Sequence, residues 1–214
     1  MNRRMHIKTL LLAGAALIAA FEPSLAETPV EMAPKLLAAA PSLGEQSLGK
    51  ADAPVVLVEY ASATCPHCAE FHEKVLPQLK ADYVETGKVR FIFREFPLDK
   101  LAMGAFMLAR CVPGDKYFPT IDMMFRRQQT WRTSSNPGNE LFRIMQLSGM
   151  DKAGFEACLK RQDIVKDIAE TARKGREEFG VKGTPAIFIN GKLLDGHMEF
   201  ADLKILIDAA LAQQ

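Results

Sequence analysis

What the 214-residue chain lacks narrows it more than what it has. Neither sign of charge is in excess: 27 Lys and Arg stand against 26 Asp and Glu, a formal net charge of +1, and the charges are scattered along the chain. A dedicated nucleic-acid binder carries a basic excess gathered on one face, so that class is set aside. Twelve Pro and 14 Gly are too few for a collagen-like or low-complexity protein, and with 48% hydrophobic and 25% charged residues the composition is that of a globular chain of one domain, or one domain with a large insertion. Four cysteines are too few for a disulfide scaffold. No internal repeat is present, and beyond Phe21 no stretch is apolar enough to span a bilayer.

The N-terminus reads as an address. Arg3, Arg4 and Lys8 precede an apolar run from Thr9 to Phe21, and Ser24-Leu25-Ala26 follows Pro23. These are the basic, apolar and small-residue regions of a secretory signal peptide. The run of about 13 residues falls short of the ~20 that cross a membrane. Cleavage after Ala26 is expected, with export to the periplasm, where disulfides persist.

The remainder divides into an α/β frame and a helical middle. Residues 27–50, with Pro29, Pro34, Pro41 and Gly44, read as a loose arm containing one short Ala/Leu-rich helix. Val55-Val56-Leu57-Val58 is a β-branched run typical of a buried strand. A helical pattern to about Glu85 follows, with Phe71, Val75, Leu76 and Leu79 on its apolar face and Pro77 expected to kink it. Gly87 breaks it, and Val89 to Phe93 gives a second strand, completing a βαβ unit with parallel strands. From Asp99 to Phe179 the spacing is helical, interrupted by a loop at Thr133 to Gly138. Residues 99–179 are therefore taken as an insertion, and 51–98 with 180–214 as the frame. The frame resumes at Pro185 to Ile189, where Asn190-Gly191 signals a type I′ hairpin. Phe200, Leu203, Leu206, Ile207 and Leu211 line one side of a last helix. The expected order is β-α-β, helices, β-β-α.

Chemistry concentrates at Cys65-Pro66-His67-Cys68, between a strand and a helix. That position puts the first sulfur at a helix N-terminus and the second about one turn inside. Pro66 suits the first helical position, where its missing N–H is no loss. Unpaired N–H groups and the positive end of the helix dipole then favour the Cys65 thiolate, and a protonated His67 would add to this. A stabilised thiolate stabilises the reduced pair, which makes its disulfide an oxidant. Three other readings weaken on inspection. Zinc wants about four ligands, and a second Cys-x-x-Cys is absent. Covalent haem wants His after the second cysteine, where Ala69 stands. A merely structural disulfide leaves the strand–turn–helix placement unexplained.

Together with Gly183-Thr184-Pro185 before a hairpin and the long helical insertion, the tetrapeptide resembles the exported DsbA-type thiol:disulfide oxidoreductases, over roughly Leu48 to the C-terminus. The resemblance implies a thioredoxin-like fold with an inserted all-helical domain, disulfide donation to reduced or unfolded exported proteins, reoxidation by a DsbB-like membrane partner, a monomer, and no cofactor or metal. It implies that Pro185 is cis and faces Cys65, with Thr184 offering backbone to an extended substrate. An ordinary trans proline at a strand start is the alternative. It implies further that Glu59, six residues before Cys65, lies under Cys68 and relays its proton. Without the resemblance, Glu59 reads as a strand residue facing solvent. Some members of the family carry a second bridge in the helical part, which here would join Cys111 and Cys158. Closing that loop is worth ~4 kcal/mol on the chain-entropy model, and two buried free thiols are the alternative. Thr184 stands where the best-known oxidases of the family have Val, and Thr also occurs there in isomerases and reductases of related fold. Those activities are the runner-up, with a copper- or peptide-binding protein behind them.

Other residues read as structure. Met103, Met107, Met123, Met124 and Met145 fall at helical spacing and fill a core. His72 is expected at the surface and His197 in a loop. Arg126-Arg127, and Arg173-Lys174 with Arg176, read as solvated helix faces, and Trp131 as a packing anchor.

Overall fold

A computed structural model describes Met1, residues 29–194 and residues 198–213. The rest of the expected leader, and His197, lie outside the described residues. The sheet has five strands: β1 Gln46–Leu48, β2 Val55–Ala61, β3 Val89–Glu95, β4 Ala186–Ile189 and β5 Lys192–Leu194. Their spatial order is β1-β3-β2-β4-β5. Only β2 and β3 run parallel, with Leu57 opposite Phe91 and Glu59 opposite Phe93. β4 returns antiparallel to β2, pairing Glu59 with Ile187. Asn190 and Gly191 turn the chain into β5 with φ of 45° and 81°, the positive values a type I′ turn requires.

Alternation along the central strands builds two cores. Leu57, Ala61, Phe91, Phe93, Ile187 and Ile189 face one side, and Val58, Tyr60, Ile92 and Phe188 face the other. On the first side the chain leaves Cys65 into α2, Pro66–Glu70, which continues through Phe71–Val75, α3 Leu76–Leu79 and Lys80–Val84 as one helical run. Both unnumbered segments are widened i→i+5 turns. The first ends immediately before Leu76-Pro77, so the proline ring enters where the helix has already opened.

Six α-helices make the insertion: α4 Lys100–Arg110, α5 Tyr117–Arg126, α6 Gln128–Thr133, α7 Pro137–Leu147, α8 Lys152–Cys158 and α9 Gln162–Glu178. α10, Phe200–Leu211, returns to the frame and buries Leu203 and Ile207. Met107, Met124, Met145 and Trp131 are buried in the insertion, and the Trp131 indole donates to the Met124 carbonyl at 2.7 Å. α9 packs on the opposite face of the sheet so closely that a Cβ on Gly175 would stand 2.8 Å from the Tyr60 ring. Arg173 is tied to Glu170 and Glu177 on its own helix, as expected of a solvated face, whereas Arg176 covers the Phe96 ring at 5.0 Å.

Two sequence expectations are corrected. The arm is not loose: α1, Pro29–Ala38, seats Leu36 in the second core, and β1 adds an antiparallel edge to β3. Glu45 reaches back to the buried Arg94, whose guanidinium also donates to Tyr60 Oη at 2.9 Å, while Ser42 binds Asp167 of α9. Nor is Thr133 to Gly138 all loop. α6 runs up to Thr133, and α7 begins at Pro137, where the Asn136 side chain accepts from the Asn139 N–H.

The insertion is fastened to the frame by buried charge. Glu95 at the end of β3 accepts two hydrogen bonds from Arg110 of α4, at 2.5 and 2.7 Å, and one from Tyr117 Oη of α5 at 2.6 Å. Burial and the neighbouring Glu95 carboxylate push the Tyr117 phenol well above its ordinary pKa. Cys111 and Cys158 are joined, with S–S 2.08 Å, linking the residue after α4 to the end of α8.

Candidate active site

The exchange loop is built by β2 running into α2. Cys65 caps the helix in extended geometry, Pro66 takes the first turn, and the Ala69 N–H donates to the Cys65 carbonyl at 3.2 Å. Cys68, one turn in, is completely buried, and Cys65 is 6% exposed. Both are free thiols.

Three supports hold this loop. Ser62 and Thr64 lie with their hydroxyl oxygens 3.2 Å apart, and Thr64 Oγ1 donates to Asp99 Oδ2 at 2.7 Å. The other oxygen of Asp99 accepts from Ala102 N–H and caps α4. Gln128 of α6 donates through Nε2 to the carbonyls of Ala63 and Cys65 at 2.9 and 2.8 Å. Nothing in the spacing of Gln128-Gln129 marks the first of them out, because its partners are backbone atoms more than 60 positions away.

The third support is the Thr184-Pro185 peptide, which is cis. It brings the Thr184 carbonyl to the Cys65 thiol, which donates to it at 3.1 Å. The peptide is cis, not the ordinary trans alternative, and the atom it sets against Cys65 is the Thr184 carbonyl oxygen.

The two sulfurs are driven apart in acidity. The Cys65 thiol is lowered to about 5, first by a hydrogen bond with Cys68, against the opposing effect of burial, then by the Thr184 side chain and the backbone N–H groups of Cys68 and His67. Cys68 is pushed well above its ordinary value by burial, by the same contact with Cys65 and by the charge of Glu59. The His67 side chain is 68% exposed and lies beside Glu70, and its backbone N–H helps to lower Cys65.

Glu59 and His72 are both buried, against the solvent-facing alternative for the first and the surface reading of the second. Glu59 is completely buried on the face of β2 shared with Leu57 and Ala61, and the solvent-facing reading is wrong. His72 is not a surface residue: it is 5% exposed, and its Nε2 lies 2.9 Å from Glu59 Oε2. Polar neighbours Glu70, Glu73 and Lys74 disguised it. The signal was its spacing, four after Cys68, which puts it on the buried stripe. Among the described residues no group of three or more His, Cys, Asp or Glu is placed to hold a metal ion, and no helix is long and apolar enough to cross a membrane.

Comparison with known proteins agrees with this geometry. The family model described as Thioredoxin matches residues 42–209. The Rickettsia bellii protein named "Putative protein-disulfide oxidoreductase" is 31% identical over 78% of this chain, which spans 64% of that protein's length. "Probable disulfide bond formation protein D" of Bacillus anthracis is also 31% identical, over 78% of both chains. The crystal structure of Wolbachia pipientis alpha-DsbA1 superposes with a TM-score of 0.74 at 30% identity, covering 83% of this chain and 96% of that one. With the Cys-x-x-Cys at a helix start, the cis proline against it and six helices inserted between β3 and β4, this chain belongs to the thioredoxin family, among its DsbA-like members.

Proposed function

We propose that the protein is a thiol:disulfide oxidoreductase that donates the Cys65–Cys68 disulfide to reduced, unfolded exported proteins. The observation that carries this reading is the asymmetry of the pair: Cys65 at the helix start has its thiol lowered to about 5, and Cys68 behind it is buried and raised. A low-pKa sulfur is a good leaving group and a stable product, so the equilibrium favours giving the disulfide away.

The cycle follows from the placement. A substrate thiolate attacks Cys65 Sγ, the Cys65–Cys68 bond breaks, and its electron pair goes to Cys68, which takes a proton. Glu59 relays that proton. A second substrate thiolate then attacks the substrate sulfur of the mixed disulfide and releases Cys65 as thiolate. The substrate is oxidised by two electrons and the cysteine pair reduced. Thr184 presents its backbone to an extended substrate, and Leu98, 54% exposed beside the Ser62 hydroxyl, offers an apolar contact. Export through the leader at residues 1–26, a monomeric state, reoxidation by a DsbB-like membrane partner and a structural role for Cys111–Cys158 belong to the same proposal. The Thr184 hydroxyl favours a second reading, isomerase or reductase, since Val is absent from that position.

Equilibration with glutathione buffers tests it. The expected potential is well above that of thioredoxin, and Cys65→Ser loses all disulfide transfer to a reduced, unfolded substrate. Cys68→Ala accumulates mixed disulfides on Cys65. A strongly reducing potential would overturn donation in favour of reduction, and transfer retained by Cys65→Ser would end the assignment.

A further inference from the structure

His72 takes no part in the cycle above, yet its buried imidazole lies within hydrogen-bond distance of Glu59. It packs among the rings of Phe71, Phe93 and Phe125, the last at 4.2 Å between centroids. Its Nε2 is 2.9 Å from Glu59 Oε2. Its Nδ1 points the other way, 3.8 Å from Asp122 Oδ1 on α5, beyond direct hydrogen-bond reach. That nitrogen and Glu59 Oε1 are both buried without a closer partner. Asp122 is 29% exposed and shares with His72 a cavity of about 180 Å³, lined also by Leu76, Pro77, Lys80, Glu85 and Arg126.

Two half-satisfied polar groups in a native core call for an explanation. An isolated imidazole among three phenyl rings should be neutral, because burial penalises its charge. Here a carboxylate stands on each side, and their attraction outweighs burial. A buried carboxylate in turn is far less costly beside a cation than alone. Cys68 feels the charge of Glu59, Glu59 meets His72 at 2.9 Å, and Asp122 at the cavity stands 3.8 Å beyond the far ring nitrogen. The cavity is lined by residues other than Cys65 and Thr184.

We propose that His72 is a positioning residue of the exchange site, a buried imidazole that holds Glu59 beneath Cys68 through Nε2 and meets solvent through Nδ1, Asp122 and the adjoining cavity. The proposal rests on Cys65 and Cys68 being the exchange pair. It assigns the state of Glu59, and with it the Cys68 proton, to a group reached from the far side of the helix. The charged and titratable groups that bear on the imidazole are Glu59 from β2, Asp122 and Arg126 from α5, and Cys68, Lys80 and Glu85 from its own helical run and the residue after it. From β3 the Phe93 ring packs against it. Its pKa, raised to about 9 by Glu59 and Asp122 against the lowering effect of burial, agrees with a cation at neutral pH.

Titration of the histidine ring protons by NMR in the reduced protein, with Glu59→Gln, Asp122→Asn and His72→Gln variants, tests this. The His72 ring is expected to titrate near pH 9 and to fall by about 1–3 pH units in Glu59→Gln, where a facing opposite charge is lost. In exchange assays His72→Gln moves the acid limb of the pH–rate profile up by about 1–3 units, for the same reason. In a Glu59→Gln background the same substitution leaves the profile where it was. A His72→Gln profile that overlays the unsubstituted one, or an effect that persists undiminished without Glu59, overturns the proposal. Should His72→Gln fail to fold, Asp122→Asn decides: a lowered His72 titration upholds the link to solvent, and an unchanged one removes it. An unsubstituted protein with no disulfide transfer would instead refute the exchange pair, while the ring titration would still report the His72–Glu59 contact.

Discussion

Gln128, on the helical insertion, holds the carbonyl oxygen of Cys65, on the frame, at 2.8 Å. The same amide holds the Ala63 carbonyl, so one side chain spans the loop that carries the reactive sulfur. The insertion is thus part of the exchange site's scaffold, because without it the buried Ala63 carbonyl loses its donor and the Cys65 carbonyl is left with the Ala69 N–H.

Gln128→Ala is therefore expected to destabilise the protein by about 1–3 kcal/mol, the cost of a buried acceptor left unpaired. Urea unfolding at neutral pH measures this. A loss within experimental error would mean that the loop keeps its shape without the amide.

The Cys65 thiol gives the reduced protein a pH-dependent stability. Its folded value of about 5 lies below that of a free thiol, near 8.5. Between those limits the unfolded chain binds a proton that the folded chain does not, so stability rises with pH. The contribution is full above the unfolded value and is lost as pH falls through about 5. Unfolding midpoints of the reduced protein, compared with reduced Cys65→Ser from pH 4 to 9, should diverge upward. Parallel curves would show that Cys65 is not held as a thiolate.

Arg110 and Glu95 are buried partners with side chains 4% and 0% exposed. Removing one member of such a pair strands the other, and Arg110→Ala is expected to cost about 3–5 kcal/mol. Denaturant unfolding reads the loss directly. An effect under about 1 kcal/mol, the range of an exposed pair, would mean that water reaches Glu95 when the guanidinium is gone.

Cys111→Ser with Cys158→Ser opens a loop of 47 residues. The expected loss is about 2–4 kcal/mol in thermal or denaturant unfolding under oxidising conditions. If the doubly substituted protein unfolds at the same midpoint, the bridge contributes nothing to folding.

Much of this was readable before any coordinates. β2 and β3 announced themselves by runs of Val, Ile and Phe, the hairpin by Asn190-Gly191, and the exchange pair by its place between strand and helix. β1 was hidden because Gln46-Ser47-Leu48 is three half-buried residues long, with no alternation to detect. α6 was hidden because Gln-Gln-Thr-Trp-Arg-Thr is too short to show a period and lies against a stretch of turn-forming residues. His72 and Gln128 were missed for a different reason. Both act through partners distant in sequence, Glu59 and the Ala63 and Cys65 carbonyls, and single-sequence periodicity carries no information about such pairs.

The oxygen that meets the Cys65 sulfur belongs to the main chain of Thr184. No substitution at position 184 can delete it. Side-chain variation there adds or withdraws a hydroxyl next to a contact that every sequence retains. The site therefore has a fixed element and an adjustable one at the same residue, so a change of side chain there alters the surroundings of the sulfur while the main-chain contact stays.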